Sequence, residues 1–361
     1  MDFSLNLPIN SVSFGQVSSL LLRELFLKNK VVPISPIGQV DLSSQNLDKD
    51  YTDWLQTNLN LFLSKHSRKN KTFKLWHING SLESFSENQV LFSFYELDSP
   101  TDVELNIVKN NYKVLFSSKY AIDTFKKYGC SNVDYLPLAF DKYNFKRLEK
   151  DYFPDRIVFN LLGKLEKRKH HKKIIQTWLK KFGNDRSYHL QCAIYNPFIK
   201  AEDQQSLIHN SILENKNFFN ISFLNFIQKN SDYNDLLNSA DIVLGMSGAE
   251  GWGLPEFHSV AIGKHSVILN AHAYKEWADD SNSVLVNPSS KIEAYDNMFF
   301  HKGQIFNQGN IYDFNEDEFI AACEKAIEKV KSSKLNKNGL KLQEDFSSEK
   351  FADNVLSIMV K

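Results

Sequence analysis

The sequence predicts an α/β protein made of two doubly wound parallel sheets, and three observations lead there. β-type runs alternate with segments of helical period for most of the chain, the pattern of parallel βαβ units whose helices cover both sheet faces. The 361 residues amount to about two domains at roughly 150 residues each. One polar stretch, residues 141–156, interrupts the alternation near the middle. Hydrophobic residues make up 42% and charged residues 24%; these proportions exclude a disordered, collagen-like or coiled-coil chain and allow a core without disulfide or metal staples.

The first half opens on the strand FSLNL (3–7), which leads through Pro8 to a helix near 15–28 where Val17, Leu20, Leu21 and Leu25 share a face. Further strands read at VVPIS (31–35), FKLWHIN (73–79), VLFSFYEL (90–97), KVLFSS (113–118) and VDYLPL (133–138), with a short helix ended by Gly129 between the last two. The stretch DKYNFKRLEKDYFPDR lacks apolar periodicity, and the domain boundary is set there. Residues 1–150, joined by a C-terminal helix within 345–361, form one Rossmann-like domain, and residues 151–344 form the other.

In the second half, strands at 157–163, 188–195, 221–227, 242–247, 266–270 and 283–287 alternate with helices at 170–182, 201–214, 231–240 and from about 254. Residues 289–312 read as a long loop or hairpin. From about 315 the chain is helical, with Phe319, Ala322, Cys323, Ala326 and Val330 on one face, and a last helix covers 349–360.

Lys plus Arg and Asp plus Glu are 43 each, so no nucleic-acid partner is expected. Cys130, Cys192 and Cys323 have no zinc or disulfide spacing. No apolar run approaches the roughly 18 residues of a membrane span, and the opening MDFSLNLPIN lacks the regions of a signal peptide. The expected setting is cytoplasmic, with any membrane contact peripheral. The basic run KHSRKNKTFK (65–74) reads as a solvated loop, with contact to anionic lipid or phosphorylated glycan as the alternative.

The most specific segment is Ser247-Gly248-Ala249-Glu250-Gly251-Trp252-Gly253-Leu254-Pro255-Glu256-Phe257-His258, between the strand IVLGM and a helix. Pro255 suits a first helical turn, and Glu256 complements the helix dipole. The glycines let backbone N–H groups approach a ligand, and the helix N-terminus favours an anion such as phosphate. This edge of an open α/β sheet is where ligands bind. A Gly-rich structural turn is the plain alternative, and the acidic, aromatic and proline residues in fixed order argue against it.

This segment resembles the donor-sugar loop of retaining glycosyltransferases of the GT-B fold, family 4 type (glycosyl transferases group 1), with the signature Glu-Gly-(Phe or Trp)-Gly-Leu-Pro. The resemblance extends to Gly15 after the first strand, to residues 95–145, to GKLEKRKHHKKIIQTW (163–178) and to LLNSADIVLGMSGAEGWGLP (236–255), and so to most of the chain. It implies a GT-B fold, two Rossmann-like domains facing across a cleft, the first for the acceptor and the second for a nucleotide-sugar donor. It implies that Glu250 contacts the donor sugar and that Lys164 and Lys169, with Arg168 adjacent, hold the diphosphate. Gly15, Gly251, Trp252, Gly253 and Leu254 are then donor-binding, with backbone N–H groups from 251 to 254 helping the leaving group.

The family's second Glu, eight positions after the first, holds ribose hydroxyls; in this sequence that position is His258, which is expected to touch ribose but cannot take two hydroxyls bidentately as a carboxylate does. Glu256 points about 200° away on an ideal helix and is a poor substitute. Lys in place of the family's Arg loses the bidentate fork. Residues 164–173 carry six Lys or Arg against one Glu, and fixed cations with helix N–H groups can stabilise a departing diphosphate without a divalent metal.

Asp48-Lys49-Asp50 has the spacing of a metal-holding Asp-x-Asp but sits in a polar linker, so no metal and no cofactor is expected. His77, Glu96 and Asp98 lie at predicted carboxyl ends of strands and are candidate acceptor or cleft residues. The expected activity is sugar transfer from a nucleotide-sugar to a glycan or glycolipid acceptor with retention of configuration. The alternatives are a non-hydrolysing nucleotide-sugar epimerase, which shares the fold, and a non-catalytic nucleotide- or sugar-binding protein on this scaffold, suggested by His258.

Overall fold

A strand covered by helices on both faces has no solvent side, and β1 (Phe3–Pro8) shows the result: all six of its residues are buried. The computed structural model, which describes residues 3–360, builds two six-stranded parallel sheets from such strands. The first sheet holds β1, β2 (Ile34–Ile37), β3 (Lys71–Leu75), β4 (Gln89–Ser93), β5 (Lys113–Phe116) and β6 (Val133–Tyr135), in the order β2-β1-β3-β4-β5-β6. Helices α1 (Ser13–Leu27), α2 (Lys49–Lys65), α3 (Asp102–Asn110) and α4 (Lys119–Lys127) connect them.

Two of these helices depart from the sequence expectation. Asp48-Lys49-Asp50, expected to sit in a polar linker, instead opens α2. Asp48 caps it by accepting the Tyr51 N–H at 2.7 Å, and Tyr51, Leu55 and Asn58 form its buried face. Helix α3 begins with a capping box in which Thr101 and Glu104 satisfy each other's backbone N–H groups. The basic run 65–74 is a loop only over residues 66–70. It closes α2 and enters β3, where buried Lys74 donates to the carbonyls of Gly80 and Glu83 at 2.9 and 2.6 Å. Strand β2 starts three residues later than expected; its Pro36 lacks an N–H, as an edge strand tolerates.

The second sheet holds β7 (Ile157–Leu162), β8 (Tyr188–Ala193), β9 (Ile221–Phe223), β10 (Ile242–Gly245), β11 (His265–Leu269) and β12 (Val284–Val286), ordered β12-β11-β10-β7-β8-β9. Helices α5 (His171–Phe182), α6 (Ala201–Ser206, continued by one π-helical turn), α7 (Asn230–Asn238) and α8 (Leu254–Ala261) join its strands. Residues 288–314 form an antiparallel hairpin, β13 (Pro288–Glu293) and β14 (Asn310–Phe314). Helices α9 (Glu316–Ser332), α10 (Lys337–Leu340), α11 (Leu342–Asp345) and α12 (Ser348–Val360) complete the chain.

Strand order reverses between β1 and β3 in the first sheet and between β7 and β10 in the second. At such a reversal neighbouring loops diverge and leave a crevice at the carboxyl ends of the strands. Helix α12 returns from the second half to pack on α1 of the first, placing Phe351 6.0 Å from Phe92. The three cysteines are free and buried.

Phe351 is 3% exposed, so Phe351→Ala is expected to destabilise the protein by about 3–5 kcal/mol, read as a lower midpoint in denaturant unfolding. An unchanged midpoint would mean that α12 is not part of the first sheet's core.

Candidate active site

Two loops of the second sheet meet at its reversal point, one following β7 and one following β10. In the first, Gly163 has φ of 100°, and a Cβ there would lie 3.0 Å from Cε of Lys169. Glycine therefore supplies the left-handed backbone and also clears the path of the lysine stem. The turn closes at His170, with φ of 55°, whose Nε2 lies 2.7 Å from the Tyr312 carbonyl. The two loops are joined along their backbones, since Gly248 N–H donates to the Arg168 carbonyl at 2.7 Å.

This turn aims two buried cations at one buried carboxylate. Lys169 Nζ stands 2.5 Å and Arg168 Nη1 3.1 Å from Oε1 of Glu250. Arg168 also donates from Nη1 to the Ala249 carbonyl at 2.6 Å and from Nε to Glu166 at 2.9 Å. Burial alone would raise the pKa of Glu250, but Lys169 and then Arg168 outweigh it and hold the carboxyl at about 2. Glu250 is thus an ionised acceptor at neutral pH.

Glu256, in the first turn of α8, behaves differently. Burial raises its pKa to about 7, against the pull of Lys169 and with the help of the Glu250 charge. Its Oε2 and the Tyr274 hydroxyl have no hydrogen-bond partner among the described residues. Both side chains lie under Gly253, where φ is 80° and a Cβ would meet Tyr274 at 2.2 Å and Glu256 Oε2 at 3.1 Å.

The first domain forms the facing wall. Ser117 Oγ donates to the Gly251 carbonyl at 2.6 Å, and the Lys119 N–H that opens α4 donates to Glu276 at 2.7 Å. Phe94 lies so close to Gly251 that a Cβ there would come within 2.6 Å of it. Glu96 reaches across, its Oε2 3.3 Å from Arg168 Nε.

Glu250, Lys169, Arg168, Gly251, Gly253 and Glu96 therefore come together, whereas the other residues singled out in the sequence sit elsewhere, Leu254 at the first position of α8 and packed against the core. Lys164 is at the rim, paired with Glu166 at 3.0 Å and standing over the rings of Phe299 and Phe198 at 4.8 and 5.3 Å. The Trp252 side chain turns into the core against Phe257 and Phe346, leaving only its backbone to the loop. Gly15 is a packing glycine of α1, where a Cβ would stand 2.1 Å from the Asn10 carbonyl.

Asp98 is tied to the hairpin through Lys291 Nζ at 2.8 Å and the Asn310 N–H at 2.8 Å. His77 is exposed on one side and packed on Phe14 at 4.4 Å on the other. Partial enclosure and the Lys164 charge hold its pKa below the usual value.

His258 is buried, not open to the cleft. Its Nε2 accepts the Asp141 N–H at 3.3 Å, and the ring is enclosed by Phe145, Phe257 and Phe140. Burial pushes its pKa down to about 3, so the ring is neutral and its partners are backbone groups of Asp141 and Leu254. The expected ribose contact has no counterpart in this placement, because the linker takes the nitrogen that would have made it. Asp48 is likewise engaged, capping α2 and pairing with Arg23 at 2.8 Å. Among the described residues no group of three or more His, Cys, Asp or Glu has the arrangement to hold a metal ion, and no helix is long and apolar enough to cross a membrane.

Sequence reasoning missed Glu166, Phe94 and Ser117. Glu166 was legible as the single acid inside a basic turn, and Phe94 as an aromatic residue just past the end of β4. Ser117 carried no signal beyond its place after β5.

No family model and no curated protein sequence matches the chain. Solved structures do. Sucrose-phosphate synthase of Thermosynechococcus elongatus matches with a TM-score of 0.69 at 12% identity, covering 99% of this chain and 97% of that one. HepE of Anabaena, solved with UDP and glucose, matches with a TM-score of 0.69 at 14% identity over 99% of both chains. A glycosyltransferase of Rickettsia africae gives 0.70 at 11% identity, covering 99% and 97%. Likeness over the full chain shows the fold: α/β, of the GT-B type, with two Rossmann-like domains.

The raised carboxyl of Glu256 predicts a pH signature. A carboxyl whose folded-state pKa lies above its usual 4.5 favours the fold most when protonated, so this contribution is full below about pH 4.5 and is lost as pH rises through about 7. Glu256→Gln is therefore expected to melt near wild type at pH 5 and to be more stable at pH 8, by on the order of 2–3 kcal/mol. Parallel melting curves at the two pH values check this, and a constant difference between the proteins would contradict it.

Proposed function

We propose that the protein is a retaining glycosyltransferase that takes its sugar from a nucleotide-sugar donor, without a metal or other cofactor, and passes it to a glycan or glycolipid acceptor. The observation that carries this reading is the convergence of Arg168 and Lys169 on Glu250 at the reversal point of the second sheet, facing a wall supplied by the first domain. Support comes from HepE, which shares the fold and has been solved both with UDP-glucose and with UDP and glucose.

Each group has a chemical task in this reading. Glu250 is fully ionised, so it accepts hydrogen bonds from sugar hydroxyls and cannot act as an acid. Arg168 and Lys169 carry fixed positive charge to where a leaving diphosphate becomes more negative, and they do so in a buried setting where that charge is poorly screened. Backbone N–H groups at the start of α8 add to them. Lys164 stands at the rim, within reach of the outer phosphate or the acceptor. His77, neutral at physiological pH, offers a hydrogen-bond acceptor to an acceptor hydroxyl. Retention follows from the resemblance of the donor loop, and no enzymic nucleophile is assigned. A peripheral place at the cytoplasmic face of a membrane fits a glycolipid acceptor.

A thermal-shift screen of UDP, GDP and ADP sugars is expected to raise the melting temperature with one donor class, because a ligand that binds only the folded state stabilises it. With that donor and an acceptor, Glu250→Ala and Lys169→Ala are each expected to lower the transfer rate by about 100-fold or more, and chelators are expected to leave it unchanged. Wild-type rates in both variants would remove the site assignment. Conversion of the sugar without acceptor would make the protein an epimerase, and tight binding without turnover a binding protein.

A further inference from the structure

Arg168 is surrounded by three carboxylates, and they are not equivalent. Glu166 and Glu250 belong to the same domain as Arg168, are 2% and 8% exposed, and take its Nε and Nη1 contacts at 2.9 and 3.1 Å. Glu96 comes from the other domain, three residues past the end of β4, and is 26% exposed. Its Oε2 lies 3.3 Å from Arg168 Nε, but the hydrogen of that nitrogen is directed to Glu166. Glu96 makes no side-chain hydrogen bond among the described residues; its attachment is charge alone. Burial together with the charges of Glu250 and Glu166 pushes its pKa up, against the pull of Arg168.

We propose that Glu96 is an anionic place-holder: its carboxylate neutralises Arg168 across the cleft while the site is empty, and a bound diphosphate displaces it. The inference rests on the transferase reading above. Charge balance leads to it. Arg168, Lys169 and Lys164 supply three positive charges, and Glu166, Glu250 and Glu96 already match them. A diphosphate brought to Arg168 and Lys169 would meet three carboxylates in a poorly screened crevice, so one must leave. Glu166 and Glu250 are fixed by hydrogen bonds to the cations they accompany. Glu96 alone is partly exposed, lacks such bonds and sits on a separate domain, so a small opening of the cleft or a rotamer change withdraws it. Its contact with Arg168 draws the domains together when no donor is present, and its departure frees the cation for phosphate.

Titration calorimetry on the full chain tests this, with UDP, GDP, ADP, their parent nucleosides and inorganic pyrophosphate as probes against wild type, Glu96→Gln and Glu96→Ala. Both variants are expected to bind the preferred nucleoside diphosphate about tenfold more tightly than wild type, with the gain shrinking at high salt. Affinity for the nucleoside alone should not change, which a merely structural role for Glu96 would not predict. Equal or weaker diphosphate binding in both variants would overturn the place-holder role while leaving the transferase reading intact. If none of the diphosphates or pyrophosphate binds wild type or either variant, the transferase reading falls and this inference with it.

Discussion

The contact between Glu250 and its two cations is the constraint from which the active face of the second domain follows. A buried ion pair recovers its desolvation cost only when every member is fully hydrogen-bonded, and this one recruits its surroundings to that end. The Ala249 carbonyl and Glu166 take hydrogen bonds from Nη1 and Nε of the guanidinium, and Gly163 gives up a side chain so that Lys169 can pass. The backbones of the two loops then lock through Gly248, which donates to Arg168 and accepts from the Tyr312 N–H at 2.9 Å. Strand β14 is thereby fixed to the donor loop, and the hairpin with it. Charge of both signs is held in place by the fold itself.

The union of the two domains is built on different terms. Its ties combine a buried apolar cluster of Leu97 with Ala249, Ala294, Phe300 and Ile311 with polar contacts: Gln16 and Asn230 exchange side-chain hydrogen bonds at 3.2 and 3.0 Å, Lys146 N–H donates to Asn234 at 3.0 Å, and the Asn307 N–H reaches Glu104 at 2.9 Å. Glu104 has two tasks in it, serving the capping box of α3 and the hairpin loop at once. The charge cluster thus lies mainly inside one domain, and the other domain adds Glu96 to it across the cleft.

Much of this was legible in the chain because it depends on short-range rules. Alternating apolar runs marked the strands, and the order Gly-x-Gly-Leu-Pro marked the start of α8. Helix α2 was hidden because its buried face includes Asn58 and its outer face ends in the exposed Leu63, so its composition reads as linker even though its period is helical. Helix α3 was not read from the sequence, although Thr101 and Glu104 carried the capping signal. What the sequence could not show was direction. Lys164 and Lys169 look equivalent in the basic turn, yet the left-handed turn at His170 buries one beside Glu250 and leaves the other at the rim. Trp252 stands in the middle of the motif and still points away from the site, because φ at Gly253 turns the chain.

The histidine at position 258 shows how far a motif departure reaches. A carboxylate there would sit among Phe140, Phe145 and Phe257, beside the buried Asp141, whose own pKa is already raised by burial. Two acids in that enclosure would repel each other. A neutral imidazole avoids the cost and adds something a carboxylate shares only by carrying charge, an acceptor for the Asp141 N–H. The same Asp141 accepts the N–H groups of Tyr143 and Asn144 at 3.1 and 3.2 Å, shaping the linker that crosses from one domain to the other. In this chain the position serves the segment between the two domains. The linker and α8 are thereby joined through His258.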